Sequence, residues 1–191
     1  MLKYRIISPD QFKTVPWKNG LGTTKEIVVK YSPGIDNYLW RISIAGVVAD
    51  GPFSDFNGYD RTLLMLEGYG IELKHSDGSI NYLRKTSETA VFSGDLYTSA
   101  KLVNGQIKDF NVMTLRDKCY SSVEVLSGKN DVAKNYDELL IYCHDEDTDI
   151  EFNNKKLRLT KRSLMHIYEN ESKNIKLFSL NAIVVKITYI A

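Results

Sequence analysis

The chain has 191 residues, of which 43% are hydrophobic and 26% charged, and its formal net charge is +1. That length and composition suit one globular domain, or two small fused barrels, with a substantial apolar interior. A near-neutral charge, with Lys and Arg scattered and not blocked, gives no electrostatic basis for a nucleic-acid or anionic-membrane partner.

Taken in order, the chain reads as short strands punctuated by turns. Met1 to Asp10 carries no apolar core of signal-peptide length, and no later run reaches the length of a membrane helix, so the expected location is the cytoplasm. Ser8-Pro9-Asp10 has the form of a cap over a single helical turn, with Pro at its first position. Glu26 to Tyr31 is a first strand, and Tyr38 to Ala45 a second. In the second, Trp40, Ile42 and Ile44 fall on one face, and Arg41 and Ser43 on the other. Arg61 to Glu67 and Ile71 to Lys74 flank Gly68-Tyr69-Gly70, which reads as a hairpin. Asp77-Gly78 and Asn104-Gly105 mark further turns.

Later strands are expected over Asp109 to Leu115, Ser122 to Leu126, Leu139 to Cys143, Ile150 to Phe152, Lys156 to Leu159 and Leu164 to Tyr168. Two more follow, over Ile175 to Leu180 and Ile183 to Ile190. Asn153-Asn154 reads as a tight turn, and Asn130 to Glu138 as room for one short helix. Many short strands with few helices indicate a sandwich or barrel. The stretches Arg61 to Leu73 and Asp137 to Phe152 each run strand, turn, strand and are followed by a similar turn and strand, which suggests a duplicated β-unit.

Several motifs fall short of the chemistry they evoke. Gly20-Leu21-Gly22-Thr23-Thr24-Lys25 opens like a phosphate loop, but it lacks the spacing of one and leads into a strand. Asp145-Glu146-Asp147-Thr148-Asp149 resembles the start of a calcium loop, yet Ile150 and Lys156 stand where Gly and Glu are required. His75, His144 and His166 are far apart and form no HxH pair, so the imidazole cluster of a metal-dependent site is absent and no metal or other cofactor is expected. Cys119 and Cys143 supply no disulfide framework and read as buried thiols of a reducing compartment. No nucleophile elbow is present, and no catalytic residue is assigned.

Six residues remain as candidate ligand contacts. Gly20 and Gly22 permit a turn that brings Trp17, Lys18 and Asn19 over a cavity mouth: a flat apolar wall, a cation, and a paired donor and acceptor. Arg41, Ser43 and Arg61 lie on strands, and an inward guanidinium fits a carboxylate bidentately. The alternative places both arginines outside, in surface ion pairs of little energetic value.

Pro16-Trp17-Lys18-Asn19-Gly20, with Gly22, Thr24 and Glu26-Ile27, resembles the opening signature of the HutD/Ves family. Trp40-Arg41-Ile42-Ser43-Ile44-Ala45 is similar to its next block, and Asp50-Gly51-Pro52-Phe53-Ser54-Asp55-Phe56 with Gly58, Asp60-Arg61 and Leu66-Glu67-Gly68 to a third. Phe92-Ser93-Gly94-Asp95, and Asp109-Phe110-Asn111-Val112-Met113 with Arg116, complete the series in family order. Leu21 departs from the pattern where a third Gly is usual, as does Asn57-Gly58 where an aromatic or Pro is common. The resemblance implies an all-β bicupin of two stacked barrels, with approximate halves 1–117 and 118–191 and room for strand exchange between them. It also implies a metal-free pocket for a small carboxylate metabolite such as formylglutamate or formimidoylglutamate, in a regulatory or sensing role tied to histidine utilisation; the Ves branch is linked to stress induction. A metal-free isomerase or hydrolase using Lys18 or an acidic residue, and a stress-induced interaction protein without ligand, are the rival expectations. Homodimerisation stays open.

Overall fold

A computed structural model describes residues 3–17, 22–152, 155–169 and 174–190. Among them all regular structure is β, apart from one 3-10 turn at Pro9–Gln11. Ser8 caps that turn, its N–H donating to Gln11 Oε1 at 2.9 Å. Among the described residues, no helix is long and apolar enough to cross a membrane.

The chain divides into two compact units, Lys13–Cys119 and a second formed by Met1–Phe12 with Tyr120–Ala191. In the second unit, β1 (Lys3–Ile7), β16 (Leu164–Glu169), β13 (Glu138–Cys143), β17 (Asn174–Tyr189), β14 (Thr148–Phe152) and β15 (Lys155–Leu159) form one sheet in that order, and β12 (Cys119–Ala133) joins it against β17. Leu139, Ile141, Ile150, Met165, Ile167, Ile175 and Val184 fill its core. The short helix expected within Asn130 to Glu138 is not formed, because β12 continues to Ala133 and buries Val132 in that core. Asn130 and Asp131 are weak helix formers, and the sheet ladder outweighs them. The two strands expected over Ile175 to Leu180 and Ile183 to Ile190 are one, since β17 pairs with β14 near Phe178 and with β13 from Ala182 onward. The polar break at Ser179 and Asn181 marks a change of partner. Asn153-Asn154 lies outside the described residues.

The Lys13–Cys119 unit carries two antiparallel sheets. One has six strands in the order β2 (Lys13–Pro16), β3 (Thr23–Tyr31), β4 (Tyr38–Val47), β11 (Ile107–Leu115), β6 (Tyr59–Glu67) and β9 (Thr89–Ser93). The other has four, in the order β5 (Gly51–Pro52), β10 (Thr98–Leu102), β7 (Ile71–His75) and β8 (Ile80–Leu83). Val47, Leu63, Met65, Ile71, Leu73, Leu83, Phe92 and Ile107 form its apolar core.

Gly68-Tyr69-Gly70 is not a hairpin turn: β6 pairs with β9 and β11, whereas β7 pairs with β8 and β10 in the other sheet. The segment is the corner at which the chain changes sheets. Gly68 and Gly70 sit at φ +111° and +142°, and an added Cβ would meet the Gln106 carbonyl oxygen at 2.8 Å and that of Leu83 at 2.9 Å. Asp77-Gly78 does close a true hairpin between β7 and β8.

The register of the six-stranded sheet sets the site. Met113 on β11 lies opposite Arg41 on β4 and Arg61 on β6. Asn111 lies opposite Ser43 and Leu63, and Asp109 opposite Ala45 and Met65. Directly opposed residues share a face, and alternation puts all of these on one side. Trp40, Ile42, Phe110 and Val112 take the other side and are also buried. A register shift between Lys108 and Asp109, of the kind common beside functional sites, precedes the first of the polar residues on β11.

The loop before β6 is pinned by Gly94, whose N–H donates to the Tyr59 carbonyl at 2.7 Å and whose carbonyl accepts from Phe56 N–H at 2.9 Å. A Cβ on Gly94 would sit 2.4 Å from the Phe56 carbonyl oxygen, a backbone atom that cannot swing aside. Gly94→Ala is therefore expected to destabilise the protein by about 1–3 kcal/mol, as overpacking does, and urea unfolding measures it; an unchanged midpoint would show that the loop is not held there.

Candidate ligand cavity

A cavity of about 560 Å³ opens on the polar face of the six-stranded sheet. That volume is in the range of small-molecule sites. Its floor is Arg41, Ser43 and Ala45 from β4, Arg61 from β6, and Asp109, Asn111 and Met113 from β11. Thr24 from β3 adds one side, and Trp17 and Phe53 to Phe56 form the walls.

Four of the six sequence candidates meet here: Trp17, Arg41, Ser43 and Arg61. Lys18 and Asn19 lie outside the described residues. Trp17 is held by its indole N–H, which donates to Thr24 Oγ1 at 2.8 Å, and by its backbone N–H, which donates to the Gly22 carbonyl at 2.9 Å. The ring lies flat over Gly22, where a Cβ would meet it at 3.0 Å. Gly22 thus serves close approach of an aromatic wall.

Arg61 dominates the electrostatics. It is 4% exposed, yet no carboxylate forms an ion pair with it among the described residues. Its guanidinium carbon lies 5.5, 5.2 and 5.0 Å from the ring centres of Phe53, Phe56 and Phe92, so the cation is caged by three aromatic faces. Nη1 donates to the Ser54 carbonyl at 3.4 Å, and Nε has no hydrogen-bond partner. Loss of water lowers its pKa to about 10, with Asp109 opposing the shift; the group stays charged at neutral pH. Arg41 differs. Its Nε lies 3.0 Å from Glu26 Oε2, an ion pair by distance, although the N–H does not point along that line and makes no hydrogen bond.

Asp109 and Asn111 belong to the last of the family-like blocks, but neither was among the six candidate ligand contacts. Both are buried, at 2% and 8% exposure, and each has an unpartnered Oδ1. The readable signal was alternation: Asp109, Asn111 and Met113 share a strand face, and Phe110 and Val112 the other. Two polar residues on a strand buried on both faces indicate a polar interior. Burial raises the Asp109 carboxyl to about 7, against the opposing pull of Arg61. Among the described residues, four buried side-chain atoms without a hydrogen bond belong to residues lining this cavity: Arg41 Nε, Arg61 Nε, Asp109 Oδ1 and Asn111 Oδ1. Buried polar groups are normally satisfied, and such a concentration of orphans singles this cavity out as the candidate site.

The histidines stand elsewhere. His75 bonds Thr98 Oγ1 at 2.9 Å and Asn81 Oδ1 at 2.8 Å, and His166 bonds Glu138 Oε2 at 2.5 Å. His144 lies 3.4 Å from Asp145. Neither cysteine is in a disulfide: Cys119 donates to the Leu39 carbonyl, and Cys143 belongs to the core of the second unit, where burial raises its thiol to about 11.

Asp109 gives stability a definite pH dependence. Its folded-state pKa of about 7 lies above the ordinary 3.8. Between those values the folded chain keeps a proton that the unfolded chain has released, so stability falls as pH rises through that window and levels off above it. Asp109→Asn removes this contribution. In thermal melts the variant should gain stability over the wild type, more at about pH 8 than at about pH 5; an equal difference at both would contradict the shift.

The sequence matches the HutD family over residues 9–183. An uncharacterised 21.2 kDa protein from the hutC 3′ region of Pseudomonas putida is 30% identical over 143 residues, 75% of each chain. The Ves protein of Escherichia fergusonii is 36% identical over 110 residues, 57% of this chain and 56% of that one. HutD from Pseudomonas fluorescens SBW25 superposes with a TM-score of 0.86 at 23% identity, over 99% of this chain and 100% of that one. At the level of fold alone, a bacterial pirin from Escherichia coli, a cupin-type protein, aligns with a TM-score of 0.67 at 10% identity, over 99% and 100% of the two chains. With an all-β cupin-like architecture and a match that covers nearly its whole length, the chain belongs to the HutD family.

Proposed function

We propose that this HutD/Ves-type protein binds a small carboxylate metabolite in the cavity of its Lys13–Cys119 unit and acts as a regulatory or sensing protein, with formylglutamate or formimidoylglutamate as candidate ligands. The observation that carries the reading is Arg61: a buried, charged guanidinium without a carboxylate partner, facing a cavity. An uncompensated buried cation is costly, and an incoming carboxylate offsets that cost with charge-assisted hydrogen bonds. Arg41 stands one row across Met113 on the same face and is positioned to share the anion. Ser43 and Asn111 offer polar atoms for orientation, and the Trp17 ring supplies an apolar wall for the ligand's carbon chain.

One observation favours the enzymatic alternative: a buried Asp109 with a pKa of about 7 is matched to general acid–base work at neutral pH. Turnover of a bound candidate, abolished in Asp109→Asn while binding persists, would establish it.

Binding and stability should part company at Arg61. Formylglutamate is expected to raise the melting temperature of the wild type, and Arg61→Gln to weaken binding at least ~30-fold, the loss typical of truncating one partner of a buried charge pair. The unliganded Arg61→Gln protein should melt no lower than the wild type, because the isolated buried charge is gone. Calorimetry and thermal melts read both effects; an unchanged affinity in Arg61→Gln would refute the assignment.

A further inference from the structure

The charges around the cavity do not close when a carboxylate enters. Arg41 and Glu26 lie 3.0 Å apart and cancel each other. Arg61 on β6 and Asp109 on β11 remain, on neighbouring strands of the same face and out of ion-pair contact. While the cavity is empty, the two balance at a distance. A ligand carboxylate seated on Arg61 takes over that cation, and Asp109, itself buried, becomes the odd anion.

Among the described residues, the elements packed around Asp109 offer one other cation on this face, Arg41, and it already faces Glu26 at 3.0 Å. Opposite it stand Ala45 on β4 and Met65 on β6, both uncharged. The next row holds Ser43, Asn111 and Leu63, and the row beyond holds Arg41, Met113 and Arg61. On β3 the facing residues are Thr24 and Glu26. Among the wall residues from the loop before β6, only Asp55 is ionisable, and it is exposed and acidic. Tyr38, close enough to Arg41 and Arg61 to feel both charges, keeps its proton at neutral pH because burial raises its pKa. Among the described residues, every remaining ionisable group that an extra anion would meet here is an acid.

Resting on the carboxylate-binding reading above, we infer that ligand binding is coupled to protonation of Asp109: as the carboxylate seats on Arg61, Asp109 takes one proton from solvent and meets the ligand as a neutral acid. Asp109 Oδ1 is buried and has no hydrogen-bond partner among the described residues, so the neutral carboxyl is left to pair with a polar group of the ligand. The coupling makes occupancy of the site responsive to pH in the physiological range. It also favours formylglutamate, whose formyl amide is neutral, over formimidoylglutamate, whose amidine end is cationic at neutral pH and would compete for the same carboxylate.

Titration calorimetry with formylglutamate, run from about pH 5.5 to 8.5 in two buffers of different ionisation enthalpy, tests this. On protonation linkage, affinity should fall by up to about tenfold per pH unit above ~7, with net proton uptake at pH 7.5. In Asp109→Asn both the pH slope and the uptake should vanish; because Asn closely matches the neutral acid in shape, the variant keeps the fold, and its melting curve checks this. Formylglutamate binding with a flat pH profile and no proton uptake in the wild type would overturn the coupling and leave the carboxylate reading intact. A slope that survives in Asp109→Asn would likewise overturn it. Absence of binding at every pH would overturn both readings.

Discussion

The isolation of one buried charge organises the Lys13–Cys119 unit of this protein. Arg61 stands on a central strand of the six-stranded sheet, flanked by Met113 and Phe92 in register and covered by Phe53 and Phe56. Three aromatic faces near 5 Å stabilise the cation by their quadrupoles and exclude water. They do not supply the negative charge that a buried guanidinium needs to recover its hydration. The protein therefore holds a cation where one is expensive to keep and leaves space in front of it, an arrangement better suited to recognition than to stability.

The rest of the Lys13–Cys119 unit follows from keeping that cation in place. Gly94 pins the loop that carries Phe56, and Asp95 is held by the Gly58 N–H and by Arg116, which also reaches Asp60 and Ser93. This network at the base of β6 fixes both the cage and the strand that presents Arg61. The glycine corner at Gly68 and Gly70 then sends the chain into the second sheet, so that the apolar core lies beyond the cavity and supports its floor. In the other unit, aliphatic side chains occupy the corresponding kind of interior. The contrast is one of side-chain chemistry on similar strands.

Asp109 and Arg61 belong to one electrostatic system without being a salt bridge. Each shifts toward its neutral form through burial, and each partly restrains the other's shift. A pair kept apart in this way responds to an added charge far more than a contact pair would, because neither partner's hydrogen bonds are committed to the other.

The sequence alone determined the all-β class, most of the strands, the capped turn at Ser8 and the family. The reason is local: period-two alternation, turn residues and ordered motifs are written in neighbouring residues. It also determined that Arg41 and Ser43 share a strand face, since parity is fixed by the pleat. Only the tertiary structure decided which face looks into a cavity, because Trp40 and Ile42 on the other side are buried too and burial on both faces erases the usual inside–outside signal. It decided that Gly68-Tyr69-Gly70 turns between sheets and not within one, since the outcome depends on strands that are distant in sequence. It alone brought Asp109 and Asn111 beside Arg61, a juxtaposition set by the pairing of β11 between β4 and β6, which no local pattern along the chain can specify.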